Sequence, residues 1–263
     1  KKLRYPHRQR LDFLEAHADV VEQRDDLCIE RITLYNQLGE YQKAYDLINS
    51  RKFHPWEGGE GKVTSQYLLC RVELAKIAIR EGRFADAVRL LKETEKYPDN
   101  LGEGKLSMAE ENDIHYWMGC AYEGLGEEAL AKEYFTKATK GSAEPAIAFF
   151  YNDQQPDKIF YQGLAWRKLG EEDKARSRFN RLIKHGEKHL FDKVKIDYFA
   201  VSLPDLLICD DDLNVRNLLH CNLVMGMGYL GLGDKEQARK FLSEVARLDI
   251  NHQAGKQLLE MCG

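Results

Sequence analysis

Proline is scarce in this sequence, six in 263 residues, so long stretches are free to be helical. No apolar run reaches the roughly 18 residues that read as a membrane helix, and no membrane partner is expected. Neither charge sign is in great excess. Charged residues make up 31% of the chain and the net charge is −4. Without a basic field there is nothing to hold a nucleic-acid backbone or an anionic membrane surface, so no nucleic-acid partner is expected either. The six cysteines, at 28, 70, 120, 209, 221 and 262, form no CxxC pair. Four lie in amphipathic stretches, where a free thiol acts as a small apolar group, so reduced structural thiols and a cytoplasmic setting are expected. The opening KKLRYPHRQR has no starting Met and no apolar stretch behind it. It does not read as a signal peptide, and it looks like the cut edge of a longer polypeptide.

What the chain has is a repeat. Residues 119–138, 163–182 and 226–245 carry the same residue types at the same offsets. The first gives Gly119, Tyr122, Gly126, Ala131, Phe135 and Ala138. The second gives Gly163, Trp166, Gly170, Ala175, Phe179 and Leu182. The third gives Gly226, Tyr229, Gly233, Ala238, Leu242 and Val245. Two earlier stretches match less fully, through Tyr35, Gly39, Ala44 and Ile48, and through Ala75, Ala78, Gly82, Ala87 and Leu91. Each unit reads as two helices. The central glycine ends the first in a left-handed conformation. An acidic residue follows it at Glu40, Glu127, Glu171 and Asp234, where the dipole of the second helix favours negative charge. The small residue of the first helix and the alanine of the second allow close approach. The large residue four places after the alanine shares its face, contributing roughly 1.5–3 kcal/mol if fully buried.

This pattern resembles the tetratricopeptide repeat. The resemblance spans most of residues 26–250 and implies an all-α fold, an α-α superhelix or solenoid of about five helical hairpins with insertions between them. The hairpins are expected near 26–50, 64–96, 110–140, 156–185 and 214–248. A leading cap over 1–25, a long insertion over 186–213 and a capping helix over 251–263 complete the chain. The key alanines 44, 87, 131, 175 and 238 are spaced by 43, 44, 44 and 63 residues. The simplest repeat of the family is about 34 long, so each connection carries extra residues.

Two of those connections are nearly the same. HPWEGGEGKV at 54–63 and YPDNLGEGKL at 97–106 both end in Gly-Glu-Gly-Lys followed by an apolar residue. A phosphate loop needs Gly, four residues, Gly-Lys and then Ser or Thr, between a strand and a helix. Here the first position is Trp56 or Asp99 and the last is Val63 or Leu106. No nucleotide site is expected, and the glycines read as turns between helices. His54, Trp56, Glu57 and Glu60 nevertheless combine an aromatic plate with carboxylates, a set that suits a sugar or a peptide.

No catalytic constellation stands out, and no cofactor or metal is expected. His185 and His189 have the i, i+4 spacing of a zinc helix, but HGEKH places a glycine second and the glutamate third. The acidic run at 210–212 lacks the spacing of a calcium loop. By the family resemblance, the inner surface of the solenoid would be lined by Asn36, Lys76, Tyr116, Cys120, Glu123, Phe160, Leu164, Arg167 and Met227.

The stretches HPWEGGEGKV, NLGEGKL, FYNDQQPD and DYFAVSLPDLL further resemble the C-terminal repeat tract of large bacterial proteins that carry a β-rich domain upstream. The resemblance implies a non-catalytic interaction module docking on an upstream domain of its own polypeptide, or on another protein or peptide. Two other readings remain open. In one, loop residues His54, Trp56, Glu57, Glu60, Asp197 and Asp205 wall a glycan cleft built mostly by an attached enzyme domain. In the other, the inner surface holds a short peptide signal, with Lys76, Tyr116, Glu123, Phe160 and Arg167 as contacts.

Overall fold

The computed structural model describes residues 4–56, 58–107, 109–146, 154–194 and 212–263. These residues are all-α, without a strand among them. Helices α1 (His7–Ala16) and α2 (Ala18–Val21) precede five hairpins. The hairpins are α3 (Asp25–Gln37) with α4 (Tyr41–Asn49), α5 (Lys62–Arg80) with α6 (Phe84–Lys92), and α7 (Asn112–Gly124) with α8 (Glu128–Ala138), then α9 (Pro156–Lys168) with α10 (Glu172–His189), and α11 (Leu213–Leu232) with α12 (Lys235–Leu248). Helix α13 (Gln253–Met261) closes the series. No helix among the described residues is long and apolar enough to cross a membrane.

One turn design builds all five hairpins. Gly39, Gly82, Gly126, Gly170 and Gly233 each take positive φ, between 76° and 87°. Behind each glycine the next residue's N–H reaches back over the turn. Glu40 donates to the Tyr35 carbonyl at 2.8 Å, and Arg83 to Ala78 at 2.8 Å. Glu127 donates to Tyr122 at 3.0 Å, Glu171 to Trp166 at 2.9 Å and Asp234 to Tyr229 at 3.0 Å. This six-to-one bond closes the helix end and satisfies a carbonyl that would otherwise be orphaned. The acidic residues do less than the dipole argument suggests. Asp234 caps its helix, accepting from Gln237 N at 3.0 Å, whereas Glu40 pairs with Arg8 and Lys43 instead.

Packing follows the repeat positions. Ala44, Ala87, Ala175 and Ala238 are fully buried and Ala131 nearly so. The small residue of the first helix leaves room for the large residue of the second. A Cβ on Gly226 would lie 2.6 Å from Leu242 Cγ, and one on Gly163 would enter the Phe179 ring.

The chain divides into two compact units, residues 1–109 with 117–131, and residues 110–116 with 132–263. The first has a core built on Leu11, Ile32, Leu34, Ile48, Phe53 and Tyr67. The second has a core built on Phe160, Phe179, Leu182, Val224, Met227 and Leu242.

Helix α10 continues to His189, straight through Gly186, where the sequence suggests a weakened helix and the start of an insertion. The glycine is there for packing. A Cβ on it would lie 2.5 Å from Met225 Cγ and 2.7 Å from the Cys221 carbonyl oxygen. Residues 195–211, which hold Asp197, Asp205, Cys209 and the apolar stretch 199–207, lie outside the described residues, as does Glu57.

Candidate functional site

In the first unit the two glycine-rich loops brace each other. Gly61, at φ 72°, is the residue from which α5 starts. Its N–H, one of the open donors of a helix N-terminus, points at the Glu103 carboxylate, 3.0 Å from Oε2 and 3.2 Å from Oε1. Thr64 Oγ1 lies 3.5 Å from the same carboxylate. The anion position of the first loop is thus filled by a side chain of the second. Phe53 N donates to the Asn100 carbonyl at 2.8 Å, and Asn100 Nδ2 donates to the carbonyls of Ile48 and Arg51, both at 2.9 Å. Gly102, at φ 79°, passes so close that a Cβ would meet the Phe53 carbonyl oxygen at 2.7 Å.

The first-loop candidates share in this bracing. His54 is exposed, but its backbone N–H donates to Asp25 Oδ2 at 2.8 Å and its Nδ1 lies 3.2 Å from the same oxygen. Arg51 takes the other Asp25 oxygen. Trp56 packs against the first core with its indole over Gly59. Glu60 is exposed.

Sequence reasoning missed the buried charge of this unit. Arg71 is 2% exposed. Its guanidinium lies 4.3 Å from the Tyr45 ring centroid and pairs with Glu93. The Tyr45 hydroxyl lies 3.4 Å from the same carboxylate, and the Tyr67 hydroxyl donates to the Glu93 carbonyl at 3.1 Å. The signal was available as an arginine in the middle of the apolar run YLLCRVELA. Nearby, Lys76 Nζ pairs with Glu73 at 2.6 Å and sits 5.4 Å from the Trp117 ring. Glu123 is exposed.

In the second unit two of the expected inner residues prove to be core. Phe160 and Met227 are each 1% exposed, and Phe160 stacks toward Phe179 at 6.0 Å between centroids. Each of these helices packs on two sides, α9 on α10 and α11, and α11 on α10 and α12, so both residues lie inside the unit. Asn36 is likewise buried, bonded to Gln66 in the first unit. Arg167 acts as a brace. Its Nη1 donates to the Gly231 carbonyl at 2.8 Å, and its Nε and Nη2 reach Glu172 at 3.0 and 3.1 Å. Tyr116 is half-buried, with its ring 5.6 Å from that of Tyr161 and 5.8 Å from that of Phe135.

Two clusters carry perturbed acid–base groups. Lys158 Nζ lies 2.6 Å from Asp113 and 3.4 Å from Asp157. Burial alone would lower its pKa, but the two carboxylates outweigh burial and hold it above the ordinary lysine range. Burial raises Asp157 and Glu110. The other cluster is histidine. The His185 ring lies 4.6 Å from His189 and 5.9 Å from His220. Burial, helped by His185, pushes His220 down to about 4. Among the described residues no three His, Cys, Asp or Glu side chains are placed to hold one metal ion.

Residues 113–143 and residues 159–185 each match a family model described as tetratricopeptide repeat. Among solved structures, the crystal structure of BtubC (BKLC) from P. vanneervenii is 14% identical, over 91% of this chain and 85% of that one, with a TM-score of 0.35. The crystal structure of the APC/C hetero-tetramer Cut9-Hcn1 is 13% identical, over 97% of this chain and 60% of that one, with a TM-score of 0.28. Likeness this distant carries no functional argument.

Proposed function

We propose that this chain, which carries tetratricopeptide repeats, is a non-catalytic interaction module. It docks through the first helices of its hairpins on another domain of its own polypeptide or on a protein partner. One observation supports this reading most. His54, Trp56, Lys76 and Arg167 are engaged in the fold, while Tyr116 on α7 and Tyr161 on α9 are half-buried, side by side at 5.6 Å. Leu164, half-buried, and Lys168, exposed, continue the same face of α9. Aromatic groups with a polar tip and an apolar body, bordered by a cation, suit a protein surface better than a small polar substrate.

The test is calorimetric titration of this chain with the region that adjoins it in its natural polypeptide. Micromolar or tighter binding is expected. Replacing Tyr116 and Tyr161 together by Ala should weaken it about tenfold or more, an interface loss of about 1–2 kcal/mol, with little change in melting. Equal affinity of the double variant would remove this face from the proposal. Absence of binding would remove the adjoining region and leave a separate protein as partner.

A further inference from the structure

Helices α10 and α11 meet without slack. A Cβ on Gly186 of α10 would strike the Cys221 carbonyl oxygen at 2.7 Å, and one on Gly228 of α11 would strike the Phe179 carbonyl oxygen at 2.7 Å. Glycine therefore stands at two positions, one on each helix, where a side chain would run into the backbone of the other. The three imidazoles of His185, His189 and His220 lie in this same seam. His220 is 8% exposed, and its Nε2 has no hydrogen-bond partner among the described residues.

The surroundings offer little to a second positive charge. From α10 come Lys188 and His189, and both disfavour a proton on His185. Asp192, just beyond α10, favours a proton on His185, but it already accepts from His189 Nδ1 at 2.6 Å. From α11 come Asn217, which donates to the His189 carbonyl at 2.7 Å, and Cys221, whose thiol burial pushes up to about 11. His252, at the start of α13, adds a further repulsion on His220, with Asp249 beside it. A backbone hydrogen bond at Ala146 is what favours the proton on His220.

We propose that the α10–α11 seam is a proton-sensitive latch, closed when His220 and His185 are neutral and opened when they take up protons. Its direction follows from linkage. The folded-state pKa of His220, about 4, lies below the ordinary 6.5, so the unfolded or opened form binds the proton more readily. The stabilising effect of a neutral His220 is complete above pH 6.5 and is lost as pH falls toward 4. The lowered pKa of His185 acts in the same sense. Opening separates α11 from α10 and uncovers Cys221, which is fully buried when the seam is closed.

The experiment reads thiol accessibility with dithiodipyridine, which reacts at acid pH, located by mass spectrometry at pH 7.5 and pH 5. Cys70, fully buried in the first unit, is the internal reference. In the wild type, Cys221 should react at least tenfold faster at pH 5 while Cys70 stays protected. In the double variant His185→Gln, His220→Gln the acid enhancement should vanish. Equal enhancement in wild type and variant would overturn the proposal, and so would joint exposure of Cys70 and Cys221, which is whole-chain unfolding. If the variant does not fold, proton NMR titration of the wild-type imidazoles decides. A His220 that titrates near 6.5 overturns the latch, and one still neutral at pH 5 supports it.

Discussion

The first unit buries the charge of Arg71, whereas the second holds the charge of Lys158 between two carboxylates and also buries neutral imidazoles in a helix seam. The Arg71 guanidinium is met by Glu93 and by the Tyr45 face. His220 and His185 are held neutral by burial, in a seam where glycines have removed the spare volume. The same repeat pattern therefore supports two kinds of interior. One is built around an ion pair of Arg71 with Glu93 against the Tyr45 ring. The other includes imidazoles whose pKa burial holds below the ordinary histidine range. A repeat specifies how helices cross, and it leaves the buried polar groups to each unit.

Three substitutions separate these two interiors. The largest effect is expected from Arg71→Met. It leaves Glu93 without its partner and Tyr45 without its cation, and should cost about 3 kcal/mol, at the low end for a buried pair because Glu93 is partly exposed. Urea unfolding checks it, and the loss should be the same at pH 7.5 and pH 6. A loss that vanishes at pH 6 would show that the first unit also depends on a titrating group. Gly228→Val comes next. Its side chain would press on the Phe179 carbonyl and on Ile183, costing about 2 kcal/mol, read as a fall in the thermal midpoint. If Gly228→Val melts like the wild type, the seam has slack and the comparison fails. The smallest effect is Glu103→Ala, a lost helix cap of about 1 kcal/mol. Added sulfate should recover part of that loss in the variant and none in the wild type, because the anion position at Gly61 would then be open. Equal response of both proteins would place the anion elsewhere.

Much of the fold was legible because its signals are local. The glycine of each turn and the alanine of each second helix act over a few residues, through backbone conformation and close packing, so composition at fixed offsets reveals them. The loops were legible only in part. Gly61 and Gly102 read correctly as turns, but the carboxylate that completes the first loop comes from Glu103, 42 residues on, and no local pattern announces it. The inner-face candidates show another limit. The family resemblance puts Phe160, Met227 and Asn36 on the inner surface, but they are buried on helices that pack on two sides, which a resemblance of short motifs does not reveal. The same resemblance puts Arg167 on the inner surface, and in the structure it braces the second unit. Its partner, the Gly231 carbonyl, lies 64 residues away and carries no side-chain signature. Glu57, Asp197 and Asp205 lie outside the described residues.

The five glycine turns bear on how the chain is made. Each closes with a hydrogen bond spanning six residues, so no turn waits for a distant partner. Contacts this local form early and fast. As the polypeptide leaves the ribosome, each hairpin can fold once its second helix is clear, while the next is still being translated. The loop brace has another timetable. Glu103 reaches Gly61 only after the whole of α5 and α6 has emerged, so the start of α5 stays uncapped during that interval. Birth order thus runs from turns to loops, and a pause in translation between residues 61 and 103 would prolong the one stage at which this helix start is bare.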